Sequence, residues 1–428
     1  MLANAAPHNN VGVAVVVTLF SAFLLLSVLT ALRPGRKGVV KILAYPVGWA
    51  AGELALQAIA AQLAAIGFLV WWKWPRQEWL STTLIVISSL VVLCNLILLG
   101  VQFHSRTVVA RAMSREPHEP LTLGRPRDDQ FGSWWRTLLQ VPLHPRDLLV
   151  QSNVPYGPLK RQRLDVWRLS TTPVDAPIIF FVHGGAWIFG DKREQGRPML
   201  HEFVSRGWIA VAMNYRLAPR FRWPAQIEDV TRALGWIKQS AKSLGGDPER
   251  IVIAGGSAGG HLAALAALCA DDPQWRPQGF TRVTDWSVRG CISLYGVLEM
   301  TGDDVAWDGH GDKLRDLLEN TVVGVPVEEH EDLYRSLSPV ERITEDAPPF
   351  LVIQGGNDTM VDVHVARYFV ERFRRVAAAP VYYVEIPLTQ HAFDVSASPR
   401  TSATVRAAVA FAEHVTSPSR DFLNSPQR

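Results

Sequence analysis

Ser257 stands in the run Gly255-Gly256-Ser257-Ala258-Gly259-Gly260-His261, after the β-branched stretch Ile251-Val252-Ile253-Ala254 and before an Ala- and Leu-rich segment. That order predicts a strand, a tight turn and a helix. A serine on such a turn is held at strained φ/ψ with its hydroxyl exposed, and flanking glycines let neighbouring backbone approach without Cβ atoms. The helix starting at Ala258 aims its N-terminal amides at the same point, where negative charge would develop. The chemistry suggested is nucleophilic attack by a hydroxyl. A Gly-rich strand–helix turn also suits a phosphate, but no Lys follows and no G-x-G-x-x-G register is present. A second constellation, His183-Gly184-Gly185-Ala186-Trp187, follows the strand-like run Ile178 to Val182. Paired glycines past a strand expose backbone N–H groups, and donors of this type stabilise a tetrahedral oxyanion by about 2.7–4 kcal/mol each. The candidate donors are Gly184, Gly185 and Ala258, with His183 read as a loop organiser rather than a base.

The elements that must position these groups alternate along the chain. Ile178 to Val182, Ile209 to Asn214, Ile251 to Ala254, Cys291 to Tyr295, Phe350 to Gln354 and Val381 to Ile386 read as strands. Ile227 to Ser243, Ala258 to Ala270, Val363 to Val376 and Thr404 to Val415 read as helices. Such alternation predicts an α/β fold, a mostly parallel sheet with helices on both faces. In those sheets chemistry collects at the carboxyl ends of the strands.

Several ordered motifs together resemble one family. His183-Gly184-Gly185, then Asn214-Tyr215-Arg216-Leu217-Ala218-Pro219 with Pro224-Ala225 and Glu228-Asp229, then Gly255-Gly256-Ser257-Ala258-Gly259-Gly260, are similar to the hormone-sensitive-lipase-like branch of the α/β-hydrolases. The likeness covers roughly residues 150 to 415, and its N-terminally anchored members look like actinobacterial lipase/esterase proteins. The family usually has Asp where Gly256 stands and often a third glycine at Ala186. Ala186-Trp187 looks closer to carboxylesterases and formamidases.

The resemblance implies an α/β-hydrolase fold with the triad in the order Ser, Asp/Glu, His. After Phe350 to Gln354 come Asp358 and Asp362. Asp358 matches the family's D-x-x-V pattern, whereas Asp362 opens the next helix and suits an N-cap. After Val381 to Ile386 comes Gln390-His391-Ala392-Phe393, similar to the family's His loop. The implied triad is Ser257, Asp358 and His391, with His391 moving the proton and Asp358 holding its tautomer. His310, His330 and His364 do not follow a strand end in the required order, and His261 reads as a lining or packing residue. Asn214 to Asp229 reads as a segment that shapes the pocket.

The first hundred residues differ sharply from the rest. Val11 to Leu32 is uncharged over 22 residues, about 33 Å as a helix, against a bilayer core of roughly 30 Å. No Lys or Arg precedes it, which favours a retained span over a signal peptide. Leu80 to Val101 is a second apolar run. Ile42 to Trp72 is a third, carrying Glu53, Gln57 and Gln62 on roughly one helical face that would pack against other helices or lie at the interface. Trp71, Trp72, Trp74 and Trp79 suit an aromatic belt. Arg33, Arg36, Lys37, Lys41, Arg106, Arg111 and Arg115 outnumber Lys73 and Arg76, which predicts an outside N-terminus and a cytoplasmic hydrolase domain.

The organisation expected is a transmembrane region over 1–103 with helices at 11–32, 45–72 and 80–101, and a linker or cap over 104–145. A catalytic domain follows over 146–416, then a polar tail over 417–428. A formal net charge of +3 without a basic stripe gives no reason to expect nucleic acid. Cys94, Cys269 and Cys291 match no disulfide or zinc pattern and read as small buried hydrophobes. The expected activity is hydrolysis of carboxylic esters, small or lipid-like, without metal or organic cofactor, next to a lipid bilayer. An amidase or formamidase with the same triad is the alternative, and a non-catalytic receptor built on the fold is a further one. Oligomeric state is not encoded in any motif.

Overall fold

The computed structural model of the chain describes residues 11–34, 38–71, 78–117, 119–123, 134–140, 145, 147–270, 272–277, 279–280, 283–308 and 311–417. Arg36, Lys37, Trp72, Lys73, Trp74, Arg76, His310, residues 418–428 of the tail and the side chain of Lys41 lie outside the described residues.

Among the described residues, eight strands form one sheet: β1 Leu148–Pro155, β2 Arg163–Leu169, β3 Ala176–Val182, β4 Ile209–Met213, β5 Gly246–Gly256, β6 Gly290–Leu294, β7 Phe350–Gly355 and β8 Val381–Ile386. Their order is β1-β2-β4-β3-β5-β6-β7-β8, parallel from β4 to β8 and antiparallel at β1 and β2. The central strands are continuous apolar runs because both faces are covered. Ile178 and Phe180 of β3 face one core with the helices Ala225–Leu244 and Ala258–Leu268. Ile179 and Phe181 alternate to the other core, with Arg197–Ser205 and Pro399–Val415. That last helix starts earlier than its apolar pattern, because Pro399 sits in its first turn and the Ser398 hydroxyl accepts from Thr401 N.

All six strands expected from sequence are present, and β1 and β2 are additional. β1 is an edge strand, largely exposed, so no buried face imposed an apolar alternation. In β2 the polar Arg163, Asp165 and Arg168 hide the pattern. Asp165 is buried there, with Arg193 at 2.9 Å and Lys192 at 3.5 Å.

Among the described residues the N-terminal part forms four helices: α1 Val11–Leu32, α2 Gly38–Glu53, α3 Ala55–Trp71 and α4 Glu78–Ser114. Ala14 and Val17 of α1 cluster with Leu69 of α3 and Leu80 and Leu84 of α4. Val28 and Ala31 cluster at the other end with Ala51, Ala55 and Leu98. Thus α1 and α4 run the same way and α3 runs against them. Gln62, fully buried at mid-length, donates to the Ser88 hydroxyl at 2.7 Å and the Ser21 hydroxyl at 2.9 Å, tying the three together.

The apolar run 45–72, expected as one helix, is broken: residues 44–53 and 55–71 meet at 81°. The break is held by polar contacts. Gln102 donates to Gly52 O at 2.5 Å, and Arg400 of the final helix donates to Gly52 O at 3.0 Å and to Glu53 at 2.6 Å. α2 therefore lies across the end of the bundle that faces the sheet. α4 likewise continues beyond the apolar run expected to end at 101, because Val109 and Met113 enter the second sheet core. Gln57 holds the short helix Trp134–Leu139 through Thr137 O and Leu138 O, at 2.6 and 3.1 Å.

The Glu53 and Arg400 side chains are 1% and 0% exposed. Removing one member of a buried ion pair leaves a charge without compensation and costs about 3–5 kcal/mol, whereas replacing both by apolar groups costs far less. Glu53→Leu and Arg400→Met, made singly, are each expected to lower the thermal midpoint of the detergent-solubilised chain, and the double variant to recover most of the loss. A double variant as unstable as the sum of the singles would show that the two charges are not coupled.

Candidate active site

The turn after β5 puts Ser257 at φ 57° and ψ −123°, a conformation an L-residue keeps only when its surroundings enforce it. The enforcement is steric. A Cβ on Gly255 would lie 2.2 Å from Gly259 O, and one on Gly259 would lie 2.1 Å from Val182 O. Only glycine lets β5, the loop after β3 and the following helix meet this closely. Ser257 N–H donates to Leu294 O at 2.9 Å, anchoring the turn to β6.

The structure brings the three residues expected as a triad together from the ends of β5, β7 and β8. The Ser257 hydroxyl is 2.8 Å from His391 Nε2, and His391 Nδ1 is 2.7 Å from Asp358 Oδ2. A carboxylate only accepts, so Nδ1 carries the proton and Nε2 presents its lone pair to the hydroxyl. Asp358 is fixed by further donors: Gln354 Nε2 at 3.0 Å, Met360 N at 2.8 Å and Val361 N at 2.9 Å. Asp362 is instead the N-cap of Val363–Val376, accepting from His364 N and His364 Nδ1 at 3.1 and 2.7 Å.

The loop after β3 differs from the expectation in one respect. Gly184 N–H is engaged by Gln195 Oε1 at 2.7 Å, so it is not free for an oxyanion. Gly184 matters instead for its missing Cβ, which would fall 2.6 Å from Gly256 O. The N–H groups of Gly185 and Ala258 have no acceptor among the described residues. Gly185 has φ +112°, and a Cβ there would be 2.1 Å from Phe189 O.

His183 sits behind this loop. It stacks on Tyr215 at 4.4 Å between ring centroids and contacts Gly184 O through Nδ1 at 2.6 Å. Burial lowers its pKa to about 4, so it is neutral. His261 is likewise pushed down to about 4 by burial, with Nε2 on Leu337 O and Nδ1 accepting from Trp187 Nε1. Both are packing residues. His330 is exposed. The segment 214–229 clamps the loop: Asn214 Oδ1 accepts from Lys192 N at 2.6 Å, and Asp229 holds Arg216 and Gln162.

Tyr295 and Asp394 were not anticipated from sequence. The Tyr295 hydroxyl donates to Asp394, and its ring meets His391 edge-on at 4.6 Å. Burial raises the pKa of Asp394 above the usual carboxylate value. A Cβ on Gly256 would be 2.8 Å from the Tyr295 hydroxyl, so Tyr295 fills the space where the family's usual Asp side chain would begin. Tyr295 directly follows β6, so the strand-end rule was the available signal. Gln195 had none.

Fold and site define an α/β-hydrolase, and comparison with known proteins agrees. The BD-FAE family model matches residues 164–373. The probable carboxylic ester hydrolase LipM of Mycobacterium tuberculosis is 36% identical over 395 residues, 90% of each chain. Esterase LipC of the same organism is 39% identical over 318 residues, 71% of this chain and 76% of its own. Among solved structures, a truncated carbohydrate esterase from gut microbiota shares the fold at TM-score 0.56 and 20% identity, covering 64% of this chain and 99% of that one. Esterase B of Lactobacillus rhamnosis does so at TM-score 0.54 and 20% identity, covering 68% and 94%. The chain belongs to the hormone-sensitive-lipase-like carboxylic ester hydrolases. It is an enzyme that acts on esters. The amidase alternative gains no support from these relatives.

Proposed function

We propose that the chain is a membrane-anchored serine hydrolase that cleaves neutral carboxylic esters through an acyl-serine intermediate. The observation that carries this is the Ser257–His391–Asp358 relay, with links of 2.8 and 2.7 Å. His391 Nε2 accepts the Ser257 proton as Oγ attacks the ester carbonyl. Gly185 and Ala258 N–H groups receive the oxyanion, and the imidazolium, steadied by Asp358, returns the proton to the departing alkoxide. Water, activated by the same imidazole, then releases the acid. The residues present require no cofactor for these steps.

The membrane reading is supported by α1 and by the stretch 79–114 of α4, both long and apolar enough to cross a bilayer. Their outer faces carry exposed Leu19, Phe23, Leu26, Leu93 and Ile97, as lipid contact requires. α3, 17 residues and about 25 Å long, is a third, short crossing, while α2 stays on the sheet side. Trp71 and Trp79, both exposed, lie at the opposite end of the bundle. An odd number of crossings separates the N-terminus from the hydrolase domain. Arg33, Arg106, Arg111 and Arg115 flank the sheet-side end, so positive-inside bias assigns that side to the cytoplasm. Apolar esters concentrate in the bilayer beside the site.

Asp358→Asn is expected to lower kcat by about 10⁴, the loss known for a triad Asp→Asn change, with little effect on KM. Asp362→Asn, which weakens only a helix cap, is expected to leave kcat near that of the parent chain. Steady-state kinetics on a soluble ester separates the two, and the reverse ranking would overturn the choice of carboxylate. For orientation, topology reporters at the two termini are expected to read outside at the N-terminus and cytoplasmic after Arg428. Two reporters on one side would exclude an odd number of crossings.

A further inference from the structure

α2 turns away from the bundle and lies against the loops that carry the triad. Trp49 Nε1 donates to Ala392 O at 3.1 Å, one residue past His391. Gly48 packs on Gln390, where a Cβ would meet the amide nitrogen at 3.3 Å. The Tyr45 ring meets the His391 ring edge-on, with centroids 6.2 Å apart. From α1, Ala31 O accepts from Asn357 Nδ2 at 2.8 Å, next to Asp358. The Glu53–Arg400 pair closes the arrangement, and Arg400 also donates to Leu388 O at 3.1 Å, just before His391. α2 is therefore held against the imidazole loop by contacts with residues 390–392 and Arg400, and its other side joins the apolar helices.

The position relative to His391 decides which half of an ester α2 would meet. In ester cleavage the bond between the carbonyl carbon and the alcohol oxygen breaks, and that oxygen takes the proton from His391 Nε2. The alcohol half therefore lies within hydrogen-bond reach of the imidazole, whereas the carbonyl oxygen points to Gly185 and Ala258. We propose that α2 is the wall of the alcohol subsite, that Tyr45 is the residue the alcohol chain lies against, and that the preferred substrates carry an apolar, alkyl-type alcohol. This rests on the reading of Ser257 as nucleophile.

Two measurements test it. First, kcat/KM is compared for octyl against ethyl butyrate, and separately for ethyl decanoate against ethyl butyrate. Tyr45→Ala is expected to raise the octyl:ethyl ratio and Tyr45→Trp to lower it, each by about tenfold, the size of a one- or two-methylene change in an apolar pocket. The acyl-length ratio is expected to hold in both variants, and Tyr45→Phe to retain the parent pattern. An acyl-length ratio that moves while the alcohol ratio holds, or no movement in either, overturns the proposal. Second, the unmutated full chain is treated with a short-chain fluorophosphonate and then illuminated with octanol bearing a terminal diazirine. Cross-links within residues 38–53 are expected, and cross-links only elsewhere overturn the proposal independently of any variant's folding. Active chain that fails to label at Ser257 would instead sink the underlying assignment of the nucleophile, and this proposal with it.

Discussion

The backbone of Ser257, at φ 57° and ψ −123°, is the constraint around which the hydrolase domain is arranged. A serine there is unfavourable by itself and persists because three elements converge on it without room for a methyl group at Gly255 or Gly259. Once that crossing is fixed, Oγ stands above the sheet, Ala258 N–H faces the same space, and the loop after β3 is pinned close by. His391 reaches the hydroxyl, and Asp358 the other ring nitrogen of His391, because β7 and β8 lie beyond β6 in parallel register with β5, so that their carboxyl ends line up. The hydrogen-bonded relay depends on this backbone geometry.

A second dependence runs from the N-terminal helices to the same site. The bundle is joined to the sheet by packing, through Val109 and Met113, and by the buried Glu53–Arg400 pair at the break between α2 and α3. Such a pair adds little net stability over an apolar replacement, but it specifies one arrangement, because a displaced α2 would leave a buried charge uncompensated. The N-terminal helices and the candidate active site are consequently joined through buried contacts. The segment 104–145, expected as a linker or cap, contributes at its start the end of α4, whose Val109 and Met113 enter the sheet core.

Much of this was legible because the chemistry dictates residue types. Glycines beside a serine and paired glycines past a strand can be read directly, whereas the acid and the histidine were implied by the family resemblance, with Asp358 matching its D-x-x-V pattern and Asp362 placed as a cap before a helix. What was hidden has physical reasons. Hydropathy does not encode direction, so 45–72 read as one span, although Glu53 was the signal: a carboxylate in an apolar run must find a partner, here 347 residues away. β1 was invisible because an exposed edge strand needs no apolar face. Gly184 was read as a donor because sequence cannot reveal that Gln195 would take its N–H. Gly256 was legible only as a departure from the family's usual Asp, because sequence does not show that the Tyr295 hydroxyl lies where its side chain would be.

The central claim, that Ser257 is the residue acylated during ester cleavage, is tested most directly by intact-protein and peptide mass spectrometry after treatment with a small fluorophosphonate. The account predicts one covalent adduct per chain, located on Ser257, with loss of esterase activity in step with its formation, and no adduct in Ser257→Ala. An adduct on another residue, or full inactivation of the Ser257→Ala chain's remaining esterase activity by the same reagent, would contradict it.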